Sequence, residues 1–132
     1  MAQDYPSWPR TEGKPASVTL DIMETPLSAA SQIAIATLKE RAPETFELAG
    51  SFKAAGFRLA LVGGTVRDAL LNRLGNDLDF TTDAKPEESK KILKKFADDT
   101  WDVGIKFGTI GAKRSDTTFE VTTFRADSYE AD

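Results

Sequence analysis

From Leu27 onward the chain breaks into apolar stretches separated by Gly, Pro and polar clusters, and the period of each stretch separates helix from strand. Residues 1–26 lack any such period and hold four of the six prolines, Pro6, Pro9, Pro15 and Pro26, which predicts a flexible N-terminal tail. Ser28 can cap a helix reaching about residue 41, with Ile33 and Leu38 among its apolar positions. Pro43 suits the first turn of a second helix to about residue 55, with Phe46, Ala49 and Phe52 on one face and Gly56 as its stop. The apolar run 57–62, bounded by Gly56 and the Gly63-Gly64 pair, has the pattern of a buried strand. Residues 65–74 read as helix, with Val66, Ala69, Leu70 and Leu74 on one face and Gly75 closing it. Residues 77–81 then read as a strand. Pro86 opens a further helix with Glu87 and Glu88 in its first turn and Ile92, Leu93 and Phe96 as its buried stripe. Two strands, 107–113 and 117–125, are expected around the polar turn Arg114-Ser115-Asp116. The order, helices followed by β-α-β-α-β-β, predicts an α/β (α+β) domain over 27–132 with a mixed sheet flanked by helices.

Composition narrows the chemistry more than the fold. At 132 residues, 40% hydrophobic and 29% charged, the chain has the size and balance of one soluble globular domain. No apolar run approaches the ~18 residues of a membrane span, and the N-terminus lacks the pattern of a secretion signal, so a cytoplasmic protein away from membranes is expected. The absence of cysteine excludes disulfides, thiolate nucleophiles and thiolate zinc sites; the absence of histidine excludes a Ser-His-Asp hydrolase and a His-ligated metal. Carboxylates, guanidinium groups, amines and hydroxyls remain, an inventory suited to a hard cation such as Mg²⁺. The net charge of −4 argues against this segment alone gripping an RNA backbone. Lys90, Lys91, Lys94 and Lys95 read as the solvated face of their helix.

Three short motifs carry candidate chemistry. In Asp77-Leu78-Asp79-Phe80, strand alternation aims both carboxylates one way while Leu78 and Phe80 enter the core. Two carboxylates about 6–7 Å apart on one strand face repel unless a cation lies between them. The plain alternative is an exposed acidic strand. Phe119-Glu120-Val121 repeats the logic, so Glu120 faces a side that the aspartates can share, as a third carboxylate or as a solvated glutamate. In Val62-Gly63-Gly64-Thr65-Val66-Arg67-Asp68 a buried strand meets a glycine pair and a helix start. Glycines permit close approach to backbone, and a helix start offers free N–H groups to an anion. A cation such as Arg67 in the first helical turn opposes the dipole by a few tenths of a kcal/mol, a cost that a bound phosphate would offset. Neither a P-loop nor a dinucleotide fingerprint is present.

In order and spacing these motifs resemble the nucleotidyltransferase superfamily that includes DNA polymerase beta. LVGGTVRDALLNRLGNDLDFTT and FEVTTFR are similar to the head motifs of class II CCA-adding enzymes and bacterial poly(A) polymerases, over about residues 44–125. The resemblance implies Mg²⁺ on Asp77 and Asp79, nucleotide triphosphate on Gly63, Gly64 and Arg67, and Glu120 as a third catalytic carboxylate. It further implies transfer of CMP and AMP from CTP and ATP to the 3′ end of tRNA. Poly(A) addition is an alternative within the family, and a non-catalytic nucleotide-binding module is one outside it. The family's base-selecting and RNA-gripping segments are expected beyond Asp132, so this head is expected to be inactive alone.

Overall fold

The computed structural model of the chain describes residues 17–19, 29–103 and 108–124. In chain order its elements are β1 (Ser17–Thr19), α1 (Ala29–Arg41), α2 (Glu44–Ala54), β2 (Leu59–Val62), α3 (Gly64–Leu70), β3 (Asp77–Thr82), α4 (Pro86–Phe96), β4 (Asp99–Asp102), β5 (Thr109–Arg114) and β6 (Thr117–Thr123). The strands form one sheet in the order β1-β2-β3-β6-β5-β4. Only the β3–β6 pair is parallel among the described strands. A parallel pair requires a crossover, and α4, β4 and β5 supply it. The result is the mixed sheet with flanking helices that the periodicity predicts.

Local signals explain most boundaries. Pro86 begins α4 where no helical N–H is lost, and Glu87 and Glu88 complement the dipole there, as Lys94 and Lys95 do in the last turn. Gly56, at φ +93, turns the chain out of α2 toward β2. In β3 and β6, exposed or half-buried residues alternate with buried ones, so Leu78, Phe80, Phe119 and Val121 all enter one face. Phe119 is at the centre of the core there, its ring stacked 6.0 Å from Phe80 and edge-on 5.2 Å from Phe96. Leu48, Phe52, Leu59, Leu61 and Leu93 complete this core under α2 and α4. Burying each such side chain stabilises the fold by roughly 1.5–3 kcal/mol. Arg114 closes the sheet's end, stacked 4.5 Å over the Phe96 ring with Nη1 3.0 Å from a Glu47 carboxylate oxygen.

Several expectations are corrected. Of the two apolar positions named for α1, Leu38 is buried and Ile33 is 52% exposed; Ser31, Ala34 and Thr37 share the buried side, and α1 packs against α3. Helix α3 ends at Leu70 rather than near residue 74: Asn72 adopts φ +56, a left-handed conformation that Asn tolerates, and Leu74 still reaches the core from the following loop. Two strands escape the periodicity. Ser17–Thr19, inside the stretch expected to be a flexible tail, pairs with β2 as an edge strand; the rest of 1–26 and the Ser28 cap lie outside the described residues. Asp99–Asp102 pairs with β5 at the other edge. The lysine face of α4 is solvated as expected, with Lys90 reaching Asp102 at 3.1 Å.

Candidate active site

The parallel ladder of β3 on β6 sets the site. It pairs Asp77 with Thr118, Leu78 with Phe119 and Asp79 with Glu120. Directly paired residues share a face, so Asp79 and Glu120 stand side by side and Asp77 lies one pleat away. Asp77 and Asp79 are exposed while Leu78 and Phe80 are buried, so both carboxylates are held at the surface by the burial of their neighbours. Thr118 N–H donates to the Asn76 carbonyl at 2.7 Å, extending the tie to β6 just ahead of Asp77.

The glycine turn reaches the same strand. At φ +67 and ψ −143, Gly63 has a conformation essentially reserved for glycine, and nothing stands within 4 Å of where its Cβ would be. Its backbone is therefore open to an approaching group. At Gly64 a Cβ would lie 3.4 Å from Arg67 Nη2, so the guanidinium folds back over the turn. Arg67 is mostly exposed and lies 3.6 Å from Asp68 Oδ1 through Nε. Because α3 has seven residues and Arg67 is its fourth, it belongs to the last turn as much as the first, and the expected conflict with the dipole is small. Its place over Gly64 is the stronger indication.

One residue escaped the sequence reading. Thr65 is buried, and its hydroxyl accepts the Asp79 N–H at 3.0 Å. That amide lies past the β2–β3 ladder's first pair, Leu61 with Phe80, so the threonine supplies the partner that β2 does not. The bond ties the glycine turn to the carboxylate strand. Only the long-range fold identifies it; a threonine after two glycines carries no such message alone.

Among the described residues no group of three or more Asp, Glu, His or Cys side chains converges to hold a metal ion. Glu120 is in register with Asp79 without completing a three-carboxylate cage. Two exposed carboxylates on one strand face still fit Mg²⁺, which is ordinarily held by one or two carboxylates together with substrate phosphates.

A mixed sheet whose central strand presents Asp-x-Asp beside a Gly-Gly turn is the framework of a nucleotidyltransferase head. Residues 59–132 match the family model described as the poly A polymerase head domain, and the chain belongs to that family. The CCA-adding enzyme of Enterococcus faecalis is 48% identical over 90 residues, which cover 68% of this chain and 20% of that enzyme. Among solved structures, Bacillus stearothermophilus CCA-adding enzyme in complex with CTP is 33% identical with a TM-score of 0.50, over 76% of this chain and 22% of that one. A tRNA nucleotidyltransferase complexed with a primer tRNA and an incoming ATP analog is 28% identical with a TM-score of 0.53, over 61% and 24%. The chain thus spans about a fifth of the length of the curated relatives it matches.

Proposed function

We propose that this chain is the catalytic head of a CCA-adding tRNA nucleotidyltransferase, which transfers CMP and AMP from CTP and ATP to the 3′ end of tRNA. The observation that supports this reading is the common exposed face of Asp77 and Asp79, tied through Thr65 to the Gly63-Gly64 turn and in register with Glu120. In the reaction the RNA 3′-hydroxyl gives its proton to solvent, its oxygen bonds to the α-phosphorus, the bond to the bridging oxygen breaks, and pyrophosphate leaves. Gly63 leaves its backbone open to the triphosphate, and Arg67 offers its guanidinium to the phosphate oxygens. Asp77 and Asp79 would hold Mg²⁺, and Glu120 orients the attacking hydroxyl. When bound, the cation would neutralise triphosphate charge and make that hydroxyl more acidic.

Poly(A) addition is the second reading, favoured by the family model's own description. The complete polypeptide carrying this head, incubated with tRNA lacking its 3′ CCA, with CTP, ATP and Mg²⁺, separates the two. CCA addition predicts C, C and then A; poly(A) addition predicts runs of A on unrelated RNA. Asp77→Ala should reduce turnover by several orders of magnitude with the fold intact. Comparable turnover in that variant overturns the assignment.

A further inference from the structure

The sheet face that carries the carboxylates also carries an indole that the proposed chemistry leaves unused. The ladders place Asp79, Glu120, Gly111 and Trp101 in one row across β3, β6, β5 and β4. Residues so paired share a face. Trp101 leans inward along the row: a Cβ at Gly111 would stand 2.8 Å from Trp101 Cζ2 and nearer still to Nε1. The ring thus rests on bare backbone at Gly111, two strand steps or about 10 Å from Asp79. It remains 36% exposed, on the face that carries Asp77, Asp79 and Glu120. Lys113, exposed, stands in the adjacent row between Thr118 and the exposed Asp99.

We propose that Trp101 is a stacking platform for the terminal nucleobase of the acceptor RNA, with Lys113 beside it for the strand's phosphates. The inference rests on the nucleotidyl-transfer reading above. Gly63, Gly64 and Arg67 follow β2 on one flank of β3, whereas Trp101 and Lys113 lie on the other flank, beyond β6. Attacking and leaving oxygens lie roughly in line through the phosphorus in such transfers. With the leaving pyrophosphate on the β2 flank, the attacking hydroxyl comes from the β6 flank. There the last ribose of the acceptor stands near Glu120 and its base reaches the indole over Gly111. Stacking on an aromatic face tolerates any base. That suits an acceptor whose last base changes with each addition. It also suits a chain whose 21 acidic residues outnumber its 17 basic ones, a balance that favours stacking over charge as the grip on a polyanion.

Steady-state kinetics of the complete polypeptide and fluorescence titration test this together. Trp101→Ala should raise KM for the acceptor RNA about 5- to 150-fold while leaving KM for CTP within about twofold, and Trp101→Phe should retain most of the affinity. In an Asp77→Ala background, a single-stranded RNA ending in CC should quench tryptophan emission, and both the Trp101-dependent part of that quenching and the affinity should be lost once Trp101 is alanine. Equal oligonucleotide affinity with and without the indole overturns the platform. So does a parallel rise in both KM values, which would assign the ring to the incoming nucleotide. A lowered melting temperature with unchanged KM would make Trp101 only a cover for Gly111. If the wild-type polypeptide extends no RNA, the transfer reading fails, and the titration still decides whether Trp101 stacks on RNA. A flat titration with turnover intact removes the platform and leaves the transfer reading standing.

Discussion

Arg67 is the side chain to which the proposed reading gives most to do and which the fold does least to hold. Its guanidinium is exposed, touches Asp68 at 3.6 Å, and is folded over Gly64 rather than buried in the core. An exposed ion pair of that length contributes little to stability. Arg67→Ala should therefore leave the melting temperature nearly unchanged. It should raise the dissociation constants for CTP and ATP by about 10- to 100-fold, the worth of a charged hydrogen bond. Isothermal titration with both nucleotides checks this. A loss confined to one of them would mean that Arg67 reads the base. At this scale the sequence was legible where chemistry follows a short period: the alternation of Asp77, Leu78, Asp79 and Phe80 was enough to place both carboxylates on one face. It was illegible where the partner lies far along the chain, as Thr65 does from Asp79.

Between elements, the Thr65 hydroxyl joins the start of α3 to β3 at the point where the β2–β3 ladder stops. Without it the Asp79 N–H, partly buried, loses this hydrogen bond. Thr65→Val keeps the shape and removes the hydroxyl, so unfolding free energy should fall by about 1–3 kcal/mol. Thr65→Ser should recover most of it. Denaturant titration of the three proteins measures this, and equal midpoints for threonine and valine would show that the tether contributes nothing. Element prediction succeeded where apolar periodicity was strong, as in α4 and β3. It failed at the edges for a physical reason. Asp99-Thr100-Trp101-Asp102 has two charged ends and one indole, so its strand character comes from pairing with β5 and from Gly111, against which Trp101 rests. Ser17–Thr19 is too short to show a period and is strand only because β2 offers an edge. The overlong expectation for α3 had a similar cause: Leu74 has helical spacing, yet its burial is achieved by a loop after Asn72 turns left-handed.

At the scale of the whole molecule, one face of the sheet is core and the other is chemistry, and the division decides what these 132 residues can do. Helices α2 and α4 cover the apolar face, so the lysines of α4 lie across the sheet from Asp77 and Asp79 and offer no cationic groove beside them. In the proposed reading, Gly63, Gly64 and Arg67 would meet the triphosphate, a group common to every ribonucleotide. None of these groups reads the edge of a base. The 132-residue chain should therefore bind CTP and ATP weakly, in a Mg²⁺-dependent manner, and with affinities equal to within about fivefold, a difference near 1 kcal/mol. It should not extend tRNA, because an in-line hydroxyl must be held in place, and one indole and one lysine provide little grip on a polyanion at net charge −4. Calorimetric titration with each nucleotide, with and without Mg²⁺, tests the first statement. Incubation with tRNA lacking its CCA end, labelled CTP and Mg²⁺ tests the second. A marked preference for one base, or addition of C, C and then A, would place base selection within these 132 residues. The base would then have to be read by groups on this head, and the separation of triphosphate binding from base choice argued above would fail.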